Sequence, residues 1–216
     1  MLRYAVLIDA GFIKPKLWPV KKAPITSEMI ELVTKKLSQS PHLINHRLHR
    51  VYFYDAKPLT TQAEHPDGTT VDFGKTSVAK NNEALHAGLE KSPYVALRFG
   101  ELVHQGWRIN GRALKKANAE TTFSISDLEP SIQQKGVDMR IGLDIASLTL
   151  KKQVDIIVLI TGDSDFIPAM KFARREGAQL YLVTMGHGVR PVVHQHADLV
   201  ISEPASHYLT EDPPVL

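Results

Sequence analysis

Five aspartates lie where apolar patterning breaks. Asp9 closes the run "YAVLI" (4–8), and Asp163 and Asp165 follow "IIVLI" (156–160) in the stretch "VLITGDSDF". Asp138 and Asp144 belong to "KGVDMRIGLD" (135–144). Carboxylates crowded together raise one another's pKa and cost stability. A divalent cation relieves that cost, and Mg²⁺ and Mn²⁺ are the hard ions that a few carboxylates and waters hold. One or two such ions activate water and neutralise charge, which suits phosphodiester hydrolysis.

Taken singly, each acid has a plainer role. Asp163 can cap a helix starting near Ser164, Asp9 can make a turn after a strand, and Asp138 can complement a helix dipole. Asp144 can accept backbone N–H bonds at a boundary. The recurrence favours the site: two apolar strands deliver acid at the same end. Asp9, Asp138 and Asp163 are the expected ligands, directly or through water, with Asp165 completing the cluster. Asp144 stands beside the stripe Val137, Ile141, Ile145 and Leu148. It lies about 240° around the helix from Asp138, so it is expected to support the site rather than share one ion.

The elements that would position these residues read as alternating strands and helices. Strands are expected at 4–8, over "RLHRVYFYDA" ending in Asp55, at "DIIVLI", at "AQLYLVTM" and at "DLVIS". Helices are expected near 28–39, 80–91, 137–150 and 164–176, the last ended by Gly177 in a left-handed conformation. "KPKLWPVKKAP" reads as a Pro- and Lys-rich loop, 57–77 as a polar surface loop, and "GRALKKANAETTF" as a basic loop. "YVALRFGELVHQGWRIN" reads as a strand or hairpin, and "SDLEPSIQQKGVDMRIGLDIASLTLKK" as mostly helix. Continuous apolar strands alternating with helices imply an α/β fold, a three-layer α/β/α sandwich around a mostly parallel central sheet. Such folds bind ligands at the carboxyl ends of the strands. The domain is expected over 1–203, with 204–216 a loosely held tail.

Bulk properties narrow the class. The 216 residues include 26 Lys and Arg against 23 Asp and Glu, a net of +3, too mild to demand a polyanion. The distribution is uneven: Lys91 to Asn118 holds Lys91, Arg98, Arg108, Arg112, Lys115 and Lys116 against Glu101 alone. Arg108, Arg112, Lys115 and Lys116, with Trp107, can grip phosphates and stack a base, or form an ordinary solvated loop. Lys135 can neutralise the acids or bind phosphate. There is no Cys, no apolar run of membrane-spanning length and no signal-peptide pattern at the N-terminus, so a cytoplasmic protein is expected. Nothing in the composition opposes a homo-oligomer.

Three segments in order, "VLIDAGF" (6–12), "KGVDMRIGLD" (135–144) and "VLITGDSDFIPAMKFARREGAQLYLVT" (158–184), resemble the NYN family. That family includes LabA-like proteins and belongs to the PIN-like nuclease superfamily. The resemblance covers about 3–202. It implies a PIN-like sandwich, a metal-dependent acidic site and RNA as substrate. By position it carries the site onto Asp9, Asp138, Asp163 and Asp165, with Asp144 a second helix acid and Thr161 a hydroxyl that bonds the cluster or a phosphate. Many relatives have Asn shortly after the first acid, where this chain has Gly11 and Phe12.

A metal-dependent ribonuclease is therefore expected. A catalytically weak RNA-binding or regulatory module that keeps the fold is the alternative. A phosphatase of the haloacid dehalogenase type needs a second Asp two residues after Asp9, and Gly11 stands there.

Overall fold

The strand β1 (Arg3–Asp9) is buried from Tyr4 onward, and everything else is arranged around it. The computed structural model describes residues 1–118 and 120–210. After β1 come α1 (Ala10–Lys21), α2 (Ser27–Gln39), β2 (Arg47–Ala56), the hairpin β3 (Gln62–Glu64) and β4 (Thr70–Asp72), and α3 (Ser77–Leu89). Next are β5 (Val95–Ile109), α4 (Gly111–Lys116), β6 (Leu128–Lys135) and α5 (Val137–Leu150). The chain then runs through β7 (Ile156–Ile160), α6 (Ile167–Arg175), β8 (Gln179–Val183), α7 (Pro191–His194), β9 (Leu199–Ile201) and α8 (Ala205–Tyr208).

The main sheet has the order β6-β5-β2-β1-β7-β8-β9. All neighbours are parallel except β5 and β6. Alternation sorts the central side chains to two faces. Val6, Ile8, Val51, Phe53, Val158 and Ile160 pack with Ile13 and Leu17 of α1, Ile30 and Val33 of α2, and Leu85 and Leu89 of α3. Ala5, Leu7, Tyr52, Tyr54, Ile157 and Leu159 pack with Ile141 and Ile145 of α5 and Met170 and Ala173 of α6. Two cores flank one sheet, as the continuous apolar strands require. From β1 the chain winds outward through β2 and β5, then returns to β7 on the other side of β1. The β1/β7 boundary is thus the topological switch point, where open α/β sheets form their crevice.

Several expectations need correction. The segment "KPKLWPVK" (14–21) is helical, although Pro15 and Pro19 lie inside α1. Each interior proline costs about 3 kcal/mol. Ala10, Ile13 and Leu17 at helical spacing are fully buried, and each of the two large side chains returns about 1.5–3 kcal/mol. Burial offsets much of the proline cost, and α1 forms against its local propensity. Residues 128–135 are the strand β6, not helix; Leu128, Pro130 and Ile132 alternate, and an edge strand tolerates the proline. β5 is one long strand, irregular in register between His104 and Trp107.

The polar segment 57–77 holds the β3–β4 hairpin, and the basic loop contains α4, capped by the Asn110 side chain. The start of the expected tail is packed: Ala205, Tyr208 and Leu209 are buried in the core. Its last residues, 211–216, lie outside the described residues. The helix expected from 164 divides into a 3₁₀ turn (Ser164–Phe166) and α6, followed by Gly177 at φ +93°. Among the described residues no helix is long and apolar enough to cross a membrane.

Candidate active site

Asp9 sits at the last position of β1 and caps α1, accepting the Phe12 N–H at 3.4 Å. Its side chain points to the α5 face, as Leu7 does. Thr161, one residue past β7, is fully buried and donates its hydroxyl to Asp9 Oδ2 at 3.0 Å. The same Oγ1 accepts the Asp163 N–H at 3.2 Å. One threonine therefore ties the first acid to the loop that carries the third. Asp163 caps the 3₁₀ turn, accepting the Asp165 N–H at 2.9 Å through Oδ1. The capping role and a place in the site coexist, because that bond engages one oxygen. Asp138 enters from the first turn of α5.

These residues line a cleft of about 490 Å³ with Gly11, Phe12, Gln134, Val137, Gly162 and His187. The Asp9 carboxyl is pushed up, by burial first; the Thr161 hydrogen bond and the Phe12 N–H oppose this, and Asp138's charge adds to it. Asp138 is also raised, by burial and then by the charges of Asp163 and Asp165. Asp138 thus links Asp9 electrostatically to the loop acids Asp163 and Asp165. Among the described residues no lysine or arginine forms an ion pair with any of the four. An oxygen-only, uncompensated cluster suits a hard divalent ion. Among the described residues, however, no three acid or imidazole side chains stand close enough to form a ready-made metal cage. The donor set fits an ion held by one or two carboxylates with the rest of its shell water, the usual habit of Mg²⁺.

The structure does not bring the remaining expected residues into the cleft. Asp165 lies beside it, within electrostatic reach of Asp138. Asp144 is engaged elsewhere: Tyr54 Oη and Arg98 Nε each donate to its Oδ2 at 2.9 Å. Burial and the neighbouring Asp144 carboxylate push the Tyr54 phenol up, so it remains a donor. Lys135 is exposed at the end of β6, paired in register with Glu101, while its neighbour Gln134 faces the cleft.

The basic group stands apart. Arg98 is level with Tyr54 and hence with Asp9, whereas Arg108 lies ten residues further along β5, about 30 Å of strand. Arg108 is paired with Glu129 at 2.9 Å, and Arg112, Lys115 and Lys116 project from α4 beyond it. Trp107 donates to the Glu64 carbonyl at 2.9 Å and packs on His65, Phe73 and His104. That ring anchors the β3–β4 hairpin to β5.

Sequence reading missed Gln134 and His187. His187 is the center of "GHG" (186–188) in the loop after β8, at the same sheet edge as the acids, and the flanking glycines were its signal. It also missed the destination of Asp55. That residue follows Tyr54 on β2 and so points to the opposite face from Asp9. It accepts hydrogen bonds from Lys14 Nζ and the Ala56 N–H, and His86 Nε2 lies 2.7 Å away. Burial alone would raise its pKa, but His86, Lys14 and Ala56 outweigh burial and hold it below the ordinary carboxylate range.

A mostly parallel sheet with a core on each face and an acid-lined cleft at its switch point defines an α/β sandwich domain. The NYN domain family model matches residues 91–203, and the chain belongs to that family, whose members are PIN-like nucleases. The match starts at residue 91, just before β5 and later than the resemblance read from the sequence; Asp9 joins the matched region through the pairing of β1 with β7. An uncharacterized protein from Methanocaldococcus jannaschii is 28% identical over 113 residues, 52% of this chain and 46% of that protein. The chain thus spans about half the length of that relative. Among solved structures, a protein of unknown function from Vibrio parahaemolyticus aligns over 93% of this chain and 91% of its own, with TM-score 0.49 and 12% identity. A structure concerning Sir2 enzymes aligns over 96% and 88%, with TM-score 0.39 and 10% identity. Neither likeness carries a functional argument.

Proposed function

We propose that this protein is a metal-dependent ribonuclease of residues 1–203, acting at the cleft between β1, α5 and the β7 loop with Mg²⁺ or Mn²⁺. The observation that carries the reading is the convergence of Asp9, Asp138 and Asp163 without a cationic partner. Bound there, a divalent ion would supply activation of water and charge neutralisation at a phosphodiester. Asp9, Asp138 and Asp163 would hold it, in part through water. Thr161 fixes the Asp9 carboxylate, and Asp165 adds negative charge at the rim. Asp144 acts at one remove: through Arg98 and Tyr54 it fixes α5 against β2 and β5, and with it Asp138. A location in the cytoplasm fits a substrate of this kind, and self-association is compatible with it.

The test is incubation of the full chain with labelled single-stranded RNA and Mn²⁺, beside Asp163→Asn. Cleavage by the wild type that the substitution abolishes supports the reading. The absence of a ready-made three-ligand cage among the described residues favours one second reading, an RNA-binding module with little turnover. Binding without cleavage under either metal would establish that module instead.

A further inference from the structure

The cleft has a second wall, unlike the acidic one. Phe12, from the first turn of α1, and His187, from the loop after β8, both line it. Their rings meet edge to face at 5.9 Å between centroids. Lys16, one turn along α1, places its ammonium 5.6 Å from the Phe12 centroid and 3.1 Å from His187 Nδ1. The three side chains form one unit of ring, ring and cation. The backbone beneath is shaped to admit it: a Cβ on Gly162 would fall 2.6 Å from the Phe12 ring and 2.8 Å from the His187 ring. Gly162 lies between Thr161 and Asp163, so the rings close directly onto the acid-bearing loop. Phe12 is only half-buried and His187 is exposed, so ring surface is left for a ligand.

We infer that this wall is a nucleobase subsite. It receives an unpaired base next to the phosphate held at the acids, and Lys16 takes the adjoining phosphate. The inference rests on the nuclease reading for its phosphate position and adds to it the residues that hold the base: Phe12, His187 and Lys16. A duplex stacks its bases internally and offers no base face to a ring, whereas aromatic side chains stack splayed bases of single strands. A cation on the same wall adds electrostatic grip at the strand's backbone. The wall explains why an apolar ring replaces the expected polar residue after Asp9.

The test compares the full-length wild type, Phe12→Ala and His187→Ala by fluorescence anisotropy. The probes are a short single-stranded RNA and the same sequence in a blunt duplex, with Ca²⁺ in place of Mn²⁺. Both substitutions should weaken single-strand binding roughly five- to a hundredfold and leave duplex binding unchanged. Lys16→Ala should lower the salt dependence of single-strand binding by about one ion. His187 is exposed, so its variant reports even if Phe12→Ala proves unstable in melting. Unchanged single-strand affinity in His187→Ala, or equal losses for both probes, overturns the inference. The two readings fail separately. Cleavage in Mn²⁺ that ignores both rings removes the base subsite and leaves the nuclease. Ring-dependent binding without wild-type cleavage removes the nuclease and leaves the subsite.

Discussion

Asp9 and Asp55 stand at the ends of adjacent strands, almost level, and the protein treats them oppositely. Asp55 points to the α1/α3 face, where Lys14, His86 and a backbone N–H surround it and hold its pKa down. Asp9 points to the α5 face, where a threonine and a backbone N–H engage it but the nearest charges are other carboxylates, and its pKa is held up. Asp144 repeats the first pattern with Arg98, and Asp138 the second. Where an anion serves the fold, the chain supplies its cation. Where it does not, the anions stand without one, as the proposed ion site requires.

The largest expected effect breaks the second group. Asp163→Asn should reduce Mn²⁺-dependent RNA cleavage by at least about a hundredfold, the scale on which even supporting residues of metal sites act. Circular dichroism should stay unchanged, since asparagine can still accept the Asp165 N–H. The first group should answer in stability instead. His86→Ala removes a buried partner of Asp55 and should cost about 3 kcal/mol in urea unfolding, with Lys14 retaining part of the network. Arg98→Ala should cost less, about 1–2 kcal/mol, because Arg98 and Asp144 are both partly exposed.

The smallest effect has the most diagnostic sign. Asp138 has a raised folded-state pKa, so its contribution to stability is fully present below the ordinary carboxylate value. It is lost as pH rises through the raised one. Without divalent ions, Asp138→Asn should therefore melt slightly higher than wild type at neutral pH, and the gap should close in acid. Adding Mn²⁺ should raise the wild-type melting temperature more than that of the variant. Asp55 has the opposite sign: its stabilisation is present above the ordinary value and is lost as pH falls through its depressed one.

Much of this was legible in the sequence. The runs at 4–8 and 156–160 announced buried parallel strands, and their terminal acids announced the edge where the cleft lies. Legibility failed where tertiary contacts override local rules. Two prolines marked α1 as a loop, but the burial of Ile13 and Leu17 offsets much of their cost. The alternation of Leu128, Pro130 and Ile132 was masked by a following helix. A supporting place for Asp144 was legible, but its partner was not, because Arg98 is 46 residues away in the chain. Trp107 read as a stacking platform because the hairpin it packs on was taken for loop. Face assignment was the deepest gap: Asp9 and Asp55 look alike in sequence, and only the strand register sends them to opposite sides of the sheet.

The central claim is that the uncompensated acids, not the paired ones, receive a divalent ion. Anomalous diffraction from a crystal soaked in Mn²⁺ tests it most directly. The account predicts a peak in the cleft among Asp9, Asp138 and Asp163. No peak there at saturating Mn²⁺, in a crystal with the cleft open to solvent, would contradict it, as would a peak at Asp55 in its place.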